Sequence, residues 1–411
     1  MNFFQKLFKK ETAQDSFAQL MIRGLREAGH PHHRYDESDF SIAILNPDTT
    51  VASTMNLHNA FREYQSVGKS DQQAVVERYV SMCTRLGAEL PPLFEKAAVN
   101  LLPRVQPKQF FEMIKLQTLI SQGGKLPAAA TQFPEVPVGS HYVSSLIYDF
   151  PSHVVGLPSS QLATWNVSAD EAHARAQANL RNITDEPLKQ VAPGLFASPY
   201  EDNHAATRIL LIDKIKNEAT VRGRHVAFIP NRDTLLITGD ADEDALGRIL
   251  QLVNQSLDHP RPYLGIGMVL ENDQWIEFMP NAESKHFQQF HNMRARAIAQ
   301  IYAEQKELLE KLNQLTKTDV FVATAMLFQK GDNGNLTTLG AWTEGVDTLL
   351  PETDVISLTT PSTPKQPPMM VSFSDVHRVV GDLMVKTDMY PVRYRVRSFP
   401  SDAQRAQMKA I

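Results

Sequence analysis

The tightest constraint on the fold is a pair of apolar runs, His225–Pro230 and Thr234–Thr238, divided only by Asn231-Arg232-Asp233. So short a polar turn cannot carry the crossover that parallel neighbours need, so the runs fold back as an antiparallel hairpin. The arrangement recurs twice. Leu264–Leu270 and Gln274–Met279 flank Glu271-Asn272-Asp273, and Val320–Gln329 and Leu336–Trp342 flank Gly331-Asp332-Asn333-Gly334. Helical patterns alternate with the hairpins. Ser168 opens one that runs to Asn182, with Asp170 and Glu171 in its first turn, where carboxylates favour the dipole. Asn203 is placed to cap another that ends near 218, and Ser374 to cap one over 375–386. Asp240–Leu257 and 284–315 complete the set. The expected fold class is α+β, with small, mainly antiparallel sheets, packed helices and more than one domain.

A chain of 411 residues exceeds one ordinary core. Punctuation by proline and glycine divides it into an amphipathic segment 1–14, an α+β domain 15–122, a linker 123–140, a central α+β domain 141–280, a connecting helix 284–316 and a C-terminal α+β domain 318–411. The first domain reads as one helix (15–30), three strands (33–37, 40–45 and 50–57) and two helices (57–67 and 71–86). In the connecting helix, Ile298, Ile301, Leu308, Leu312 and Leu315 fall near heptad spacing, with Gln305 interrupting them. That seam packs either on its own chain or on a second copy as a homodimer.

The formal charge of −5 offers no general attraction to nucleic acid or anionic membrane. One cysteine, Cys83, fits a reducing compartment and reads as a small packing residue in a helix. No apolar stretch reaches the length of a membrane span, and the first ten residues lack the features of a signal peptide. Phe4, Leu7 and Phe8 share a face there, beside Lys6, Lys9 and Lys10. They form either a weak peripheral membrane anchor or a helix start packed on its own domain. The location expected is cytoplasmic.

The search for chemistry is mostly negative. The sequence carries no glycine-rich phosphate loop, no nucleophile elbow, no HExxH and no paired cysteines, so neither cofactor nor metal is expected. Gly265-Ile266-Gly267 sits inside a strand pattern and reads as close packing. Asp240, Asp242 and Asp244 imitate the start of a calcium loop, but Ala245 stands where it needs glycine, so they read as an acidic helix start. His30-Pro31-His32-His33 is dense in imidazoles, yet neighbours along a strand point apart.

Two sets of residues remain. Asp202, Asn203, Arg208, Arg232 and Asp233 place charge in otherwise apolar surroundings. One reading pairs Arg208 with Asp233, fixing a helix against the hairpin. The other is a polar pocket where Arg208 or Arg232 fixes an anion and Asp233 acts as a base. The final strand alternates Arg393, Arg395 and Arg397 with Val392, Tyr394 and Val396. Period two puts the arginines on one face, either solvated or a platform for an acidic partner or phosphate. Few aromatic residues lie nearby, which argues against nucleic acid.

Several local patterns over 15–280 resemble the YtpQ-like family of bacterial proteins, a family of unknown function. They are Trp165-Asn166 before a helix carrying Ala178-Asn179-Leu180, then Ala206-Thr207-Arg208-Ile209-Leu210, then Ile229-Pro230-Asn231-Arg232-Asp233-Thr234-Leu235-Leu236. The resemblance implies a fold and brings no reaction, ligand or cofactor; residues 284–411 extend beyond it. The expectation is a non-catalytic protein-interaction or ligand-binding module. The alternative is a hydrolase with a polar pocket around Arg208 and Asp233.

Overall fold

The computed structural model describes residues 12–37, 40–45, 51–84, 89–125, 132–150, 153–257, 262–330, 334–361 and 367–411. The protein is α+β, built from several small, mostly antiparallel sheets with packed helices. It divides into two compact units: Met1–Pro92 with Pro151–His153 and Leu257–Pro262, and the remainder. The segment 1–11 lies outside the described residues, as do the side chain of Cys83 and the Gly331-Asp332-Asn333 part of the third hairpin turn.

The first unit follows the order read from sequence. Helix α1 (Ala13–Glu27) precedes strands β1 (His33–Asp36), β2 (Ser41–Leu45) and β3 (Val51–Asn56), then helices α2 (His58–Ser66) and α3 (Gln72–Thr84). Thr12 caps α1 reciprocally with Asp15, satisfying donors that a helix start leaves unpaired. The apolar stripe Phe17, Met21 and Leu25 then packs on Ile42, Ile44 and Met55 of the meander and on Val75, Val76 and Val80 of α3.

The second unit opens with α4 (Phe94–Ala97), β4 (Leu101–Pro107), α5 (Lys108–Ser121), β5 (Val136–Val138), β6 (Tyr142–Phe150), β7 (His153–Gly156), α6 (Ser159–Thr164) and α7 (Ala169–Asn182). Strand β4 pairs with β6 from Leu101↔Tyr148 to Pro107↔Tyr142. That ladder places 93–122 in the second unit, whereas the sequence boundary assigned those residues to the first. Next come β8 (Lys189–Ala192), β9 (Leu195–Ala197), α8 (Ile212–Glu218), β10 (His225–Asn231), β11 (Thr234–Gly239), α9 (Glu243–Leu257), β12 (Met268–Glu271) and β13 (Gln274–Glu277). Their six strands form one sheet in the order β13-β12-β10-β11-β9-β8. Both expected hairpins, β10–β11 and β12–β13, are antiparallel and joined by short turns.

The helix expected from Asn203 to 218 is interrupted. A 3₁₀ turn over Ala206–Leu210 gives way to α8 at Leu211, whose ψ of 63° breaks the ladder. The break sends Ile209 into the core against β10 and β11, while Leu211 enters a separate cluster with Leu102, Ile147 and Leu180. Asn203 is not the cap: it sits at φ 63°, a left-handed position that asparagine tolerates.

Helix α10 (Phe287–Thr316) buries Ile298, Ile301, Gln305 and Leu309 within the unit, packing on α5 and the strands that follow, while Leu315 stays exposed. After it come β14 (Phe321–Val322), β15 (Met326–Lys330), β16 (Asn335–Thr343), β17 (Thr348–Pro351), β18 (Val355–Thr359), β19 (Met369–Ser372), α11 (Phe373–Val380), β20 (Met384–Lys386), β21 (Arg393–Val396) and α12 (Asp402–Arg405). Ser372 rather than Ser374 caps α11, accepting from the Asp375 amide. Residues 384–386 are strand, not the helix expected there. Two four-stranded sheets result, β14-β17-β21-β20 and β15-β16-β18-β19. They share the compact unit of residues 154–256, so 318–411 is not set apart from the central sheets as the sequence boundaries placed it.

Gly239 tests the packing at the end of β11. A Cβ there would collide with the backbone of Arg222, which cannot swing away as a side chain can. Gly239→Ala is expected to cost about 1–3 kcal/mol by chemical denaturation, the range for overpacking a fixed site.

Candidate functional site

Arg208 is 3% exposed and lies beneath the chain that leaves α7. Its Nε donates to Thr184 Oγ1 at 3.1 Å, and one terminal nitrogen donates to the Ile183 carbonyl at 3.1 Å. Both terminal nitrogens engage Asp202, at 2.9 and 2.7 Å, and the Tyr200 ring stacks on the guanidinium at 3.6 Å. Burial acts to raise the Asp202 carboxyl. Arg208 and the His204 amide outweigh it and hold the group below its ordinary value. Asp233 lies in its turn, its amide donating to Asn231 Oδ1 and its carboxylate accepting from Arg232 Nε at 3.3 Å. Among the described residues no hydrogen bond or ion pair joins Arg208 to Asp233. The expected Arg208–Asp233 pair is therefore replaced by Arg208–Asp202, and Asn203 serves the turn between them. A carboxylate six residues away reaches the guanidinium because the chain reverses at the left-handed Asn203.

The arginines of β21 do not form one exposed face. Arg393 is fully buried, with Nε on Gln305 Oε1 at 2.6 Å. Its terminal nitrogens donate to the carbonyls of Ala323 (2.7 Å), Leu349 (3.0 Å) and Tyr302 (3.2 Å). Desolvation lowers it to about 10, so it stays protonated near neutral pH. Arg395 forks onto Asp347 at 3.0 and 2.8 Å, and exposed Arg397 reaches the same carboxylate at 3.5 Å. The physical reason is position: β21 runs between β17 and β20, and Tyr302 and Gln305 of α10 meet it at Arg393. The polar interruption of the helix seam and the first strand arginine thus satisfy one another. Gln305 was the available signal, because a buried amide needs a partner.

The acidic start of α9 behaves as read. Asp240 binds Arg224, Asp242 accepts from the Ala245 amide and Asp244 pairs with Lys285. Each carboxylate serves a different partner.

Sequence reading missed a further ionisable assembly. His141 Nε2 lies 2.6 Å from Glu277 Oε2, and its Nδ1 lies 2.6 Å from the Tyr390 hydroxyl. A carboxylate can only accept, which puts the imidazole proton on Nε2 and leaves Nδ1 to accept from Tyr390. Arg294 of α10 donates to Glu277 Oε1 at 2.5 Å. Burial pushes Glu277 upward, but His141 and Arg294 prevail and carry it down to about 2. Burial raises Tyr390, so its phenol keeps its proton. On α5, Lys108 donates to the Ser140 carbonyl at 2.9 Å and lies over the Tyr390 ring, with its own charge disfavoured by burial. One turn on, burial pushes Glu112 up to about 7, against the opposing pull of Lys115 and the Tyr390 amide.

Carboxylate, imidazole and hydroxyl in series is a geometry that can relay a proton. Here the three groups are turned on one another, and Arg294 occupies the remaining carboxylate oxygen. No motif marks the set, since its members come from four segments and His141 and Tyr390 lie 249 residues apart.

Comparison with protein-family models, with curated proteins and with solved structures gives no match.

Two outcomes follow. Glu112 is raised in the folded chain above its unfolded value of about 4.3. The folded state therefore binds the extra proton, and stability falls as pH rises from about 4.3 to 7. Denaturant titrations across pH 5–8 should show Glu112→Gln gaining on the native protein with rising pH and levelling off above about 7, by up to roughly 3 kcal/mol. Arg393→Met strands three carbonyls and Gln305, so it should lose about 3–5 kcal/mol in the same assay.

Proposed function

We propose that this chain is a non-catalytic protein-interaction module that engages its partner through the edge strand β15. The observation that carries the reading is Met326-Leu327-Phe328, three consecutive large apolar side chains, each more than 40% exposed. Alternation along a strand would bury one set of these on a packed face. Here residues of both sets stay partly exposed. Among the described residues, strand β15 also stands at the end of β15-β16-β18-β19, paired with β16. Its outer row of amides and carbonyls suits an extended partner strand, and the apolar side chains supply pockets or anchors for it.

The buried charges support the same reading from the other side. Arg208, Arg393 and Glu277 direct most of their hydrogen-bonding capacity at other groups of this chain, which leaves little for a reaction. The hydrolase alternative around Arg208 and Asp233 draws less support, because four of the five N–H groups of Arg208 are engaged. The likeness of 15–280 to the YtpQ-like family is compatible with a binding role and adds no chemistry. No helix among the described residues is long and apolar enough to cross a membrane; a cytoplasmic setting belongs to this proposal.

Leu327→Lys with Phe328→Glu should leave the melting temperature nearly unchanged, since neither side chain is in the core. The same variant should abolish partner recovery from native lysate, and partner addition should slow amide exchange along β15 in the native protein. Equal recovery by both proteins, or exchange slowed elsewhere and not at β15, overturns the proposal.

A further inference from the structure

A groove of about 370 Å³ lies between α9 and the entry to α10, lined in part by Arg248, Gln251 and Asn254 on one side and Lys285, His286 and Gln289 on the other. Its chemistry is lopsided toward donors. Among its described lining residues the one acid, Asp244, is paired with Lys285 at 3.0 Å. Among the described residues the Arg248 guanidinium makes one hydrogen bond, from a terminal nitrogen to the Pro193 carbonyl at 2.9 Å, and its Nε has no partner there. Nor has His286 Nε2, although Nδ1 is 2.9 Å from Gln289 Oε1. A buried polar atom without a partner costs free energy that a ligand can recover.

The imidazole is seated by Gly247, since a Cβ there would come within 2.7 Å of Nε2. Glycine inside a helix costs about 1 kcal/mol relative to alanine, and at this position it makes room for the ring at the groove.

We infer that the groove binds the phosphate group of a small phosphate monoester. Donors on opposite walls suit a tetrahedral anion, which presents acceptors in several directions, better than a planar carboxylate. With the Nδ1 hydrogen directed at Gln289 Oε1, His286 Nε2 is left as an acceptor, while Arg248 offers Nε–H as a donor. A phosphate monoester supplies both complements, because its second pKa of about 6 leaves an exchangeable proton near neutral pH. Both nitrogens are covered in this structure, so binding requires the two side chains to turn toward the ligand. The volume exceeds that of a bare anion and admits a short organic group. This site is separate from β15, and either proposal stands without the other.

The test is calorimetric titration of the full-length protein with inorganic phosphate and with glycerol 3-phosphate, matched by sodium chloride at equal ionic strength and by sodium sulfate. Resonances of the Arg248 and His286 side chains are followed in parallel. Saturable binding is expected with a Kd on the order of 1 mM, tighter for the ester. Both resonances should shift, and Arg248→Met should weaken binding at least about tenfold without lowering the melting temperature. His286→Gln should weaken it while sparing the fold. Four results would each overturn the inference: no saturation, equal response to chloride, undiminished binding by Arg248→Met, or sulfate binding as tightly as phosphate.

Discussion

The second unit is organised around Arg393, a cation with no carboxylate on its guanidinium among the described residues. Taking a guanidinium out of water is costly, and here the compensation comes from three backbone carbonyls and one amide. Those groups belong to α10, to the segment between β14 and β15, and to β17. One side chain therefore fixes the relative positions of the long helix and of two strands that lie far apart in the chain. Tyr302 strengthens the junction, its hydroxyl donating to the Val392 carbonyl at 2.5 Å and accepting from the Glu352 amide at 2.9 Å. A hydrophobic contact would hold these elements together, but it would not specify their register. The fork of Arg393 does, because each N–H must find its own oxygen.

Arg208 repeats the device with a carboxylate. It joins the loop after α7 to the turn at Asp202–Asn203, and Tyr200 covers its remaining face. The pattern extends to His141, Glu277, Arg294 and Tyr390, which tie β13 and α10 to the segment after β20. In each case charge is buried where several elements meet and is consumed by this chain's own groups. The energetic consequence differs between the two carboxylates. Glu277 is stabilised as an anion and contributes stability that disappears only in strong acid, as pH falls from about 4.3 toward 2. Glu112, lacking so close a cation, is penalised as an anion and works in the opposite direction.

Surfaces then carry what the interior does not. The exposed apolar edge of β15 and the donor-rich groove beside Arg248 are features whose capacity is left over after the fold has formed. They have opposite chemistry, one non-polar and strand-like, the other cationic and compact, so the two proposed sites would take different ligands.

Much of this architecture was legible in the residues. Periodicity and turn chemistry placed the hairpins at 225–239 and 268–277, the helix from Ser168 to Asn182 and the long helix near 284–315, because those signals act within a few residues of chain. Gln305 was visible as an interruption of the helix seam and Arg393 as one of three alternating arginines, but not that one answers the other. Partnerships across the fold were out of reach: Arg208 with Asp202 rather than Asp233, His141 with Tyr390, and the placement of β4 beside β6. The sequence alone determined most of the segments that become helix or strand, since local propensity and apolar spacing decide them, whereas 206–211 and 384–386 took conformations that those signals did not give. Only the tertiary structure decided which charges are buried and with whom, since desolvation and hydrogen bonding depend on distances that the linear order does not contain.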